Sequence, residues 1–298
     1  DSIGAISLPW LATTVLGVAP DAVDGADGWP DTAFAGSFTA QLPPFDLAMT
    51  VPHIDLFDGA VLRDARFGLK GSPEGLAVDG LDATMGDGSL TGRASLANNG
   101  GFARAQMDLA VDGVSLDPAI APLRGKATGR LAAEAAGQSW SELFASADGD
   151  GSVSIMDAVL AGVSVPPLGA VLDAADGQGF EATSEQVSLL LGNLPSQPFQ
   201  ADRLDASVDI ALGSIRLGPV AAEAPGARLS GEGTFSLVSR RGVARATIFY
   251  VPADEEVIED TAPSVSYVAG WPGSAAFSLA GADPLTSYLS VSYTHLRA

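Results

Sequence analysis

From Ala103 to Asp112 the residues Ala103, Ala105, Met107, Leu109 and Val111 fall on one side of an extended chain, and Arg104, Gln106, Asp108 and Asp112 on the other. A period of two belongs to a β-strand with one face on apolar material and one in water; wound into a helix, the same residues would scatter around the axis. The pattern recurs. In Ser89–Leu96, Leu90, Gly92, Ala94 and Leu96 oppose Ser89, Thr91, Arg93 and Ser95, and Leu204–Leu212, which includes Val208 and Ile210, alternates too. Lys126–Ala135 sets Lys126, Thr128, Arg130 and Glu134 against small and apolar residues, and Leu229–Leu237, with Phe235 and Leu237 inward, points Ser230, Glu232, Thr234 and Ser236 outward. Glycine or another small residue repeatedly takes the inward position. Glycine weakens a strand unless the sheet bends or something approaches closely there, so the pattern predicts a tightly curved sheet or a closely packed partner layer.

Composition agrees with a turn-rich β protein that has a core. Of 298 residues 47% are hydrophobic and 17% charged, with 35 glycines and 19 prolines. Helices are expected only as short pieces. Ser139-Trp140-Ser141-Glu142 has capping-box spacing and predicts a helix over Trp140–Ala145. Asp117-Pro118 offers an N-cap followed by proline, and Pro167–Ala175 and Ser184–Leu191 each have room for two or three turns. The expected fold is mainly β: an elongated, curved antiparallel sheet or groove with a few short helices. Leu81-Asp82-Ala83 followed by Ser89–Gly92 is echoed by Leu204-Asp205-Ala206 followed by Leu229–Gly233, which suggests repetition of one unit.

Charge excludes some partners. Fifteen basic and 36 acidic residues give a net charge of −21, with no Lys or Arg before Arg63 or between Arg130 and Arg203, so no basic stripe is present for a nucleic acid. With no cysteine, thiolate catalysis and Cys-based zinc sites are ruled out. The uncharged stretch Ser2–Pro20 is interrupted by Gly4, Pro9 and Gly17 and falls short of the roughly 20 apolar residues of a membrane span.

The chemistry on offer is sparse. Only His53 and His295 could act as an imidazole base, and His53 lacks a nucleophile and an orienting acid recognisable from spacing. No catalytic residue, cofactor or metal ligand is therefore assigned. Ser146–Asp157 can be laid on a calcium loop, with Asp148, Asp150, Gly151, Ser152 and Asp157 at liganding or turn positions, but Ser146 stands where Asp should lead and Asp157 replaces the usual Glu. Val153 and Ile155 alternate with Ser152 and Ser154, which favours a Gly-Asp turn entering a strand. Asp21, Asp24, Asp27 and Asp31 read as a solvated loop, and Gly231-Glu232-Gly233 lacks the rest of a dinucleotide loop.

Several segments, in order, resemble the C-terminal region of the AsmA-like family of bacterial envelope proteins. They are Trp29–Phe34, Gly86–Gly92, Val111–Asp117 with Leu123–Gly129, Ser139–Phe144, Gly149–Val163 and Gly226–Val251, with Ala158 where the family has Gly. The resemblance divides the chain into the end of a preceding segment (1–28), an AsmA-like β region (29–251) and a β or loop segment (252–289). Residues 290–298, Ser-Val-Ser-Tyr-Thr-His-Leu-Arg-Ala, read as translated sequencing adapter. It implies a periplasmic body of a protein anchored in the inner membrane by an N-terminal helix outside this sequence, serving outer-membrane assembly or phospholipid transport. Phospholipid acyl chains are the partner implied, and the apolar strand face would receive them: Leu90, Leu96, Met107, Leu109, Val111, Val208, Ile210, Phe235 and Leu237. The alternative, drawn from the acidic turns, is an extracellular calcium-dependent structural or adhesive β protein.

Overall fold

The computed structural model describes residues 6–20, 28–35, 43–56, 61–116, 123–176, 180–195, 197–251, 262–271 and 276–296. Its centre is one open sheet whose strands follow each other in chain order: β1 (Ile6–Ser7), β2 (Phe45–Asp55), β3 (Val61–Ser72), β4 (Gly75–Met85), β5 (Gly88–Asn99), β6 (Phe102–Ser115), β7 (Leu123–Gly137), β8 (Asp148–Val165), β9 (Gln197–Ala211), β10 (Ser214–Ala224), β11 (Ala227–Ser236), β12 (Arg241–Tyr250), β13 (Ser264–Trp271) and β14 (Ser278–Gly281). β1 pairs in parallel with β2 over two residues; every other neighbouring pair is antiparallel. Among the described residues five helices accompany it: α1 (Leu8–Leu16), α2 (Trp140–Ala145), α3 (Leu168–Ala175), α4 (Ser184–Asn193) and α5 (Asp283–Leu296). The mainly β expectation holds.

The meander follows from the connections. Pro73-Glu74, Gly86-Asp87, Gly100-Gly101, Leu212-Gly213 and Pro225-Gly226 are two-residue turns, too short for anything but a return along the adjacent strand. Asp-Gly, ordinarily a turn signal, serves another purpose here. In Val78-Asp79-Gly80-Leu81 and Val111-Asp112-Gly113-Val114 the glycines sit at φ 59° and 65°, and the register shows one extra residue in the strand at each place. These are bulges, and each lets the alternation resume with the aliphatic residue facing the same way as before. Asp157 does the same in β8 at φ 53°, a conformation Asp tolerates better than most residues.

The inward glycines explain the bend. A Cβ built on Gly151 would lie 2.5 Å from the Arg130 carbonyl oxygen of the next strand, and one on Gly129 would lie 2.6 Å from that of Ser152. The neighbouring backbone has been drawn over the inner face to a distance that only glycine permits. The sequence expectation offered curvature or close packing; the contacts are with adjacent strands, which is curvature.

Helices cover the two ends of the inner face. At one, here the aromatic end, α1, α2 and the segment around Phe34 bury Val15, Leu16, Ala103, Trp140 and Leu143. Ser139 caps α2 by accepting from the Glu142 N–H at 3.2 Å, as its spacing predicts. Asn98, only 3% exposed, donates to the Val15 and Ala35 carbonyls at 3.0 and 2.7 Å and accepts from the Gly101 N–H at 2.9 Å, tying α1 to the β5–β6 turn with its amide satisfied. At the other, helical end, α3, α4 and α5 set Val171, Val187, Leu191, Leu285 and Leu289 against Phe199, Leu204, Leu229, Ile248 and Val265. A third cluster, with Val51, Ile54, Leu62, Phe67, Ala83 and Leu90, fills the inner face of β2–β5.

Some sequence expectations are corrected. α5 occupies part of the stretch read as β or loop, because Leu285 and Leu289 carry enough apolar surface to close the helical end. Leu212 and Leu237, read as strand ends, lie in turns, since alternation ran on into them. α4 extends two residues past Leu191, and α3 starts at Leu168. The turn expected at Asp117-Pro118 and the residues Asp21, Asp24 and Asp27 lie outside the described residues.

Leu212 is 86% exposed and held at φ 50°, a conformation that costs a branched side chain about 1–2 kcal/mol. Leu212→Asn therefore raises the stability measured by urea unfolding, by about 0.5–1 kcal/mol. Gly151→Val has the opposite sign: the clash with the Arg130 carbonyl lowers stability by about 2–4 kcal/mol, read as a fall in urea midpoint at unchanged slope.

Candidate functional site

Two cross-strand rows run over the inner face between the helical caps. One reads Val78, Ala94, Met107, Ala133, Gly149, Ile210, Ile215, Phe235, Gly242, Trp271; the other Leu81, Gly92, Leu109, Leu131, Gly151, Val208, Leu217, Gly233, Ala244, Ala269. No polar side chain interrupts either row across ten strands, β4 to β13. At a strand spacing of about 4.8 Å the rows extend roughly 43 Å. They are open in part: Met107 is 36% and Leu217 40% exposed, while Ile210 is buried. The glycines and alanines leave shallow steps between the larger side chains, so the rows form a trough floored by small residues.

Of the nine residues singled out by alternation, the sheet brings eight onto this face. Met107, Ile210 and Phe235 belong to the first row and Leu109 and Val208 to the second, while Leu90 and Val111 form the next row toward the helical end. Their surroundings differ. Leu90 is buried in the β2–β5 cluster with Leu109 and Val111 against it, Leu96 packs on the Trp140 cluster, and Ile210 is itself buried, so these serve the core. Leu237 is a correction: it stands in the β11–β12 turn, where its carbonyl accepts from Trp29 Nε1 at 2.5 Å. Trp29 stacks on Phe144 with ring centroids 4.1 Å apart, and the Arg240 guanidinium lies 5.1 Å from its ring centroid. The segment from Trp29 to Phe34 thus closes the aromatic end of the trough by contacts 208 residues apart in sequence, which no local pattern reveals.

At the helical end lies a cavity of about 1010 Å³ between α3 and the ends of β8–β12, lined by Val165, Leu168, Leu172, Phe199, Ala224, Ala227, Tyr250 and Val251, with five prolines and the residues Gln197 and Gln200. Sequence reasoning missed it because its wall comes from four separated segments. Tyr250 is 1% exposed, and among the described residues its hydroxyl is the one buried side-chain polar atom without a hydrogen-bond partner. Burial, and then the neighbouring Tyr267, push the Tyr250 hydroxyl pKa well above its ordinary value; burial raises that of Tyr267 as well, whose hydroxyl donates to the Ser164 carbonyl at 2.6 Å.

The outer face is polar. Cross-strand pairs Arg93–Asp108 at 3.0 Å and Lys70–Asp79 at 2.8 Å are exposed and screened by solvent, and keep this face in water. The residues tried on a calcium loop do not converge: β8 begins at Asp148, alternation sends Asp148 and Asp150 outward, and Asp157 sits in the bulge seven residues further along the strand. Among the described residues no cluster of three metal-ligating side chains forms. His53 pairs with Asp55 at 2.7 Å, both well exposed on β2, and among the described residues no Ser or Thr hydroxyl bonds its ring. No described helix is long and apolar enough to cross a membrane.

Comparison with family models, curated proteins and solved structures finds no match to this chain. The class is therefore defined by the structure alone: an open antiparallel meander with one apolar, helix-capped face.

The raised tyrosine pKa values make the fold lose stability at alkaline pH. An unfolded tyrosine ionises near pH 10, whereas the buried pair keeps its protons, so above that pH the unfolded state binds fewer protons and stability falls as pH rises. Below pH 10 the contribution is fully present. Tyrosinate absorbance is expected to show that Tyr250 and Tyr267, two of the four tyrosines, titrate only as the protein unfolds.

Proposed function

We propose that this chain is a non-enzymatic, lipid-handling module of the bacterial cell envelope. The observation that carries the reading is the pair of uninterrupted apolar rows, exposed at Met107 and Leu217 and roughly 43 Å long. That is more than the half-thickness of a bilayer's hydrocarbon core, about 15 Å, which one acyl chain spans. An acyl chain laid across the rows loses contact with water, and the glycine steps accept its bulk. The polar outer face keeps the loaded sheet in water. The resemblance to AsmA-like proteins supports the same reading and supplies its setting: the periplasmic part of a protein anchored in the inner membrane, aiding outer-membrane assembly or phospholipid transport.

The test is lipid extraction and mass spectrometry of the protein purified from a bacterial host. Phospholipid is expected in the wild-type sample. Met107→Asp with Leu217→Asp would place two carboxylates against the chain, and bound phospholipid is expected to fall roughly tenfold or more. Equal phospholipid in the folded double variant, or none in the wild type, would remove the reading.

A further inference from the structure

The cavity at the helical end differs chemically from a surface built for phospholipid headgroups. Among the described residues its wall contains no Asp, Glu, Lys or Arg, and the whole chain carries a net charge of −21. A carboxylate or phosphate entering it would leave water without gaining a counter-charge, and would do so against a field of its own sign. An uncharged molecule meets neither barrier. Of the polar groups in its lining, the amide of the exposed Gln197, which pairs across the sheet with Val165, can donate to and accept from neutral oxygens, and the Tyr250 hydroxyl is buried without a partner. Leu168, Leu172 and Phe199 present hydrocarbon to it. At about 1010 Å³ the space is at the upper end of the range of roughly 300–1,000 Å³ found for small-molecule pockets.

We propose that this cavity is a second site, which binds the acyl chain of a neutral glycerolipid with its ester and hydroxyl oxygens at Gln197. It is separate from the trough and does not depend on the trough holding phospholipid. α3 forms one wall, and Gly169 lies on it with nothing within 4 Å of where its Cβ would be. A large side chain there can fill the cavity without displacing backbone.

The test is native mass spectrometry of the 298-residue chain with mono-oleoylglycerol and, separately, with oleate. Mono-oleoylglycerol is expected to bind one to one, and oleate, its charged counterpart, roughly tenfold or more weaker. Gly169→Trp is expected to abolish mono-oleoylglycerol binding while the melting temperature stays at or above that of the wild type, and Ala224→Phe, from the opposite wall, to do the same. Met107→Asp in the trough is expected to leave this binding unchanged. Wild-type binding by both cavity variants, oleate binding as tightly as mono-oleoylglycerol, or loss of binding in the trough variant would each overturn the proposal. Loss of phospholipid from the trough with mono-oleoylglycerol still bound would separate a failure of the transport reading from a failure of this one.

Discussion

Neighbouring strand backbones approach one another over the inner face at positions where no Cβ stands, and the shape of the molecule depends on that approach. An alanine at Gly151 or Gly129 would meet the carbonyl oxygen of the next strand. A sheet built with ordinary side chains in those positions would flatten. The bulges at Gly80, Gly113 and Asp157 add to the bend and, by adding one residue, return the following aliphatic to the inner side. Curvature and a continuous apolar face are thus produced together, by small residues inside the strands and by αL residues at the bulges.

A curved sheet with one apolar face must cover that face or use it. This chain covers both ends, with a tryptophan-rich seal at one and three helices at the other, and leaves the middle rows thinly covered. The seal is tied by long-range contacts: Trp29 to Leu237 and Trp140 to the Val18 carbonyl. The middle rows have no charge of their own, while the outer face carries ion pairs that neutralise part of an acidic surface. Polarity is sorted by face and not by segment, as alternation requires.

Much of this was legible. Alternation in Ala103–Asp112 and Lys126–Ala135 placed β6 and β7 on the correct faces, and the Ser139 cap located α2, because strand period and helix capping are set by residues within a few positions of each other. The inward glycines announced curvature for a steric reason. Strand ends were less legible: Leu212 and Leu237 continue the alternation, so only the turn geometry shows that they leave the sheet. α5 was missed because Leu285 and Leu289 form a helix face only against the core they close. The Trp29 seal and the cavity beside Tyr250 were out of reach of local pattern, since each is assembled from segments far apart in the chain. Among the groove candidates, alternation told which side Leu90 and Leu96 occupy but not that clusters of buried residues would absorb them.

On the proposed function the inner rows, and not the outer face, meet acyl chains. A photoreactive amino acid placed at Val208, in the inner row, and in a second variant at Asp209, its outward neighbour, tests it most directly in living bacteria. Crosslinked phospholipid is expected at 208 and none above background at 209. Equal crosslinking at the two positions, or lipid at 209 alone, would contradict it.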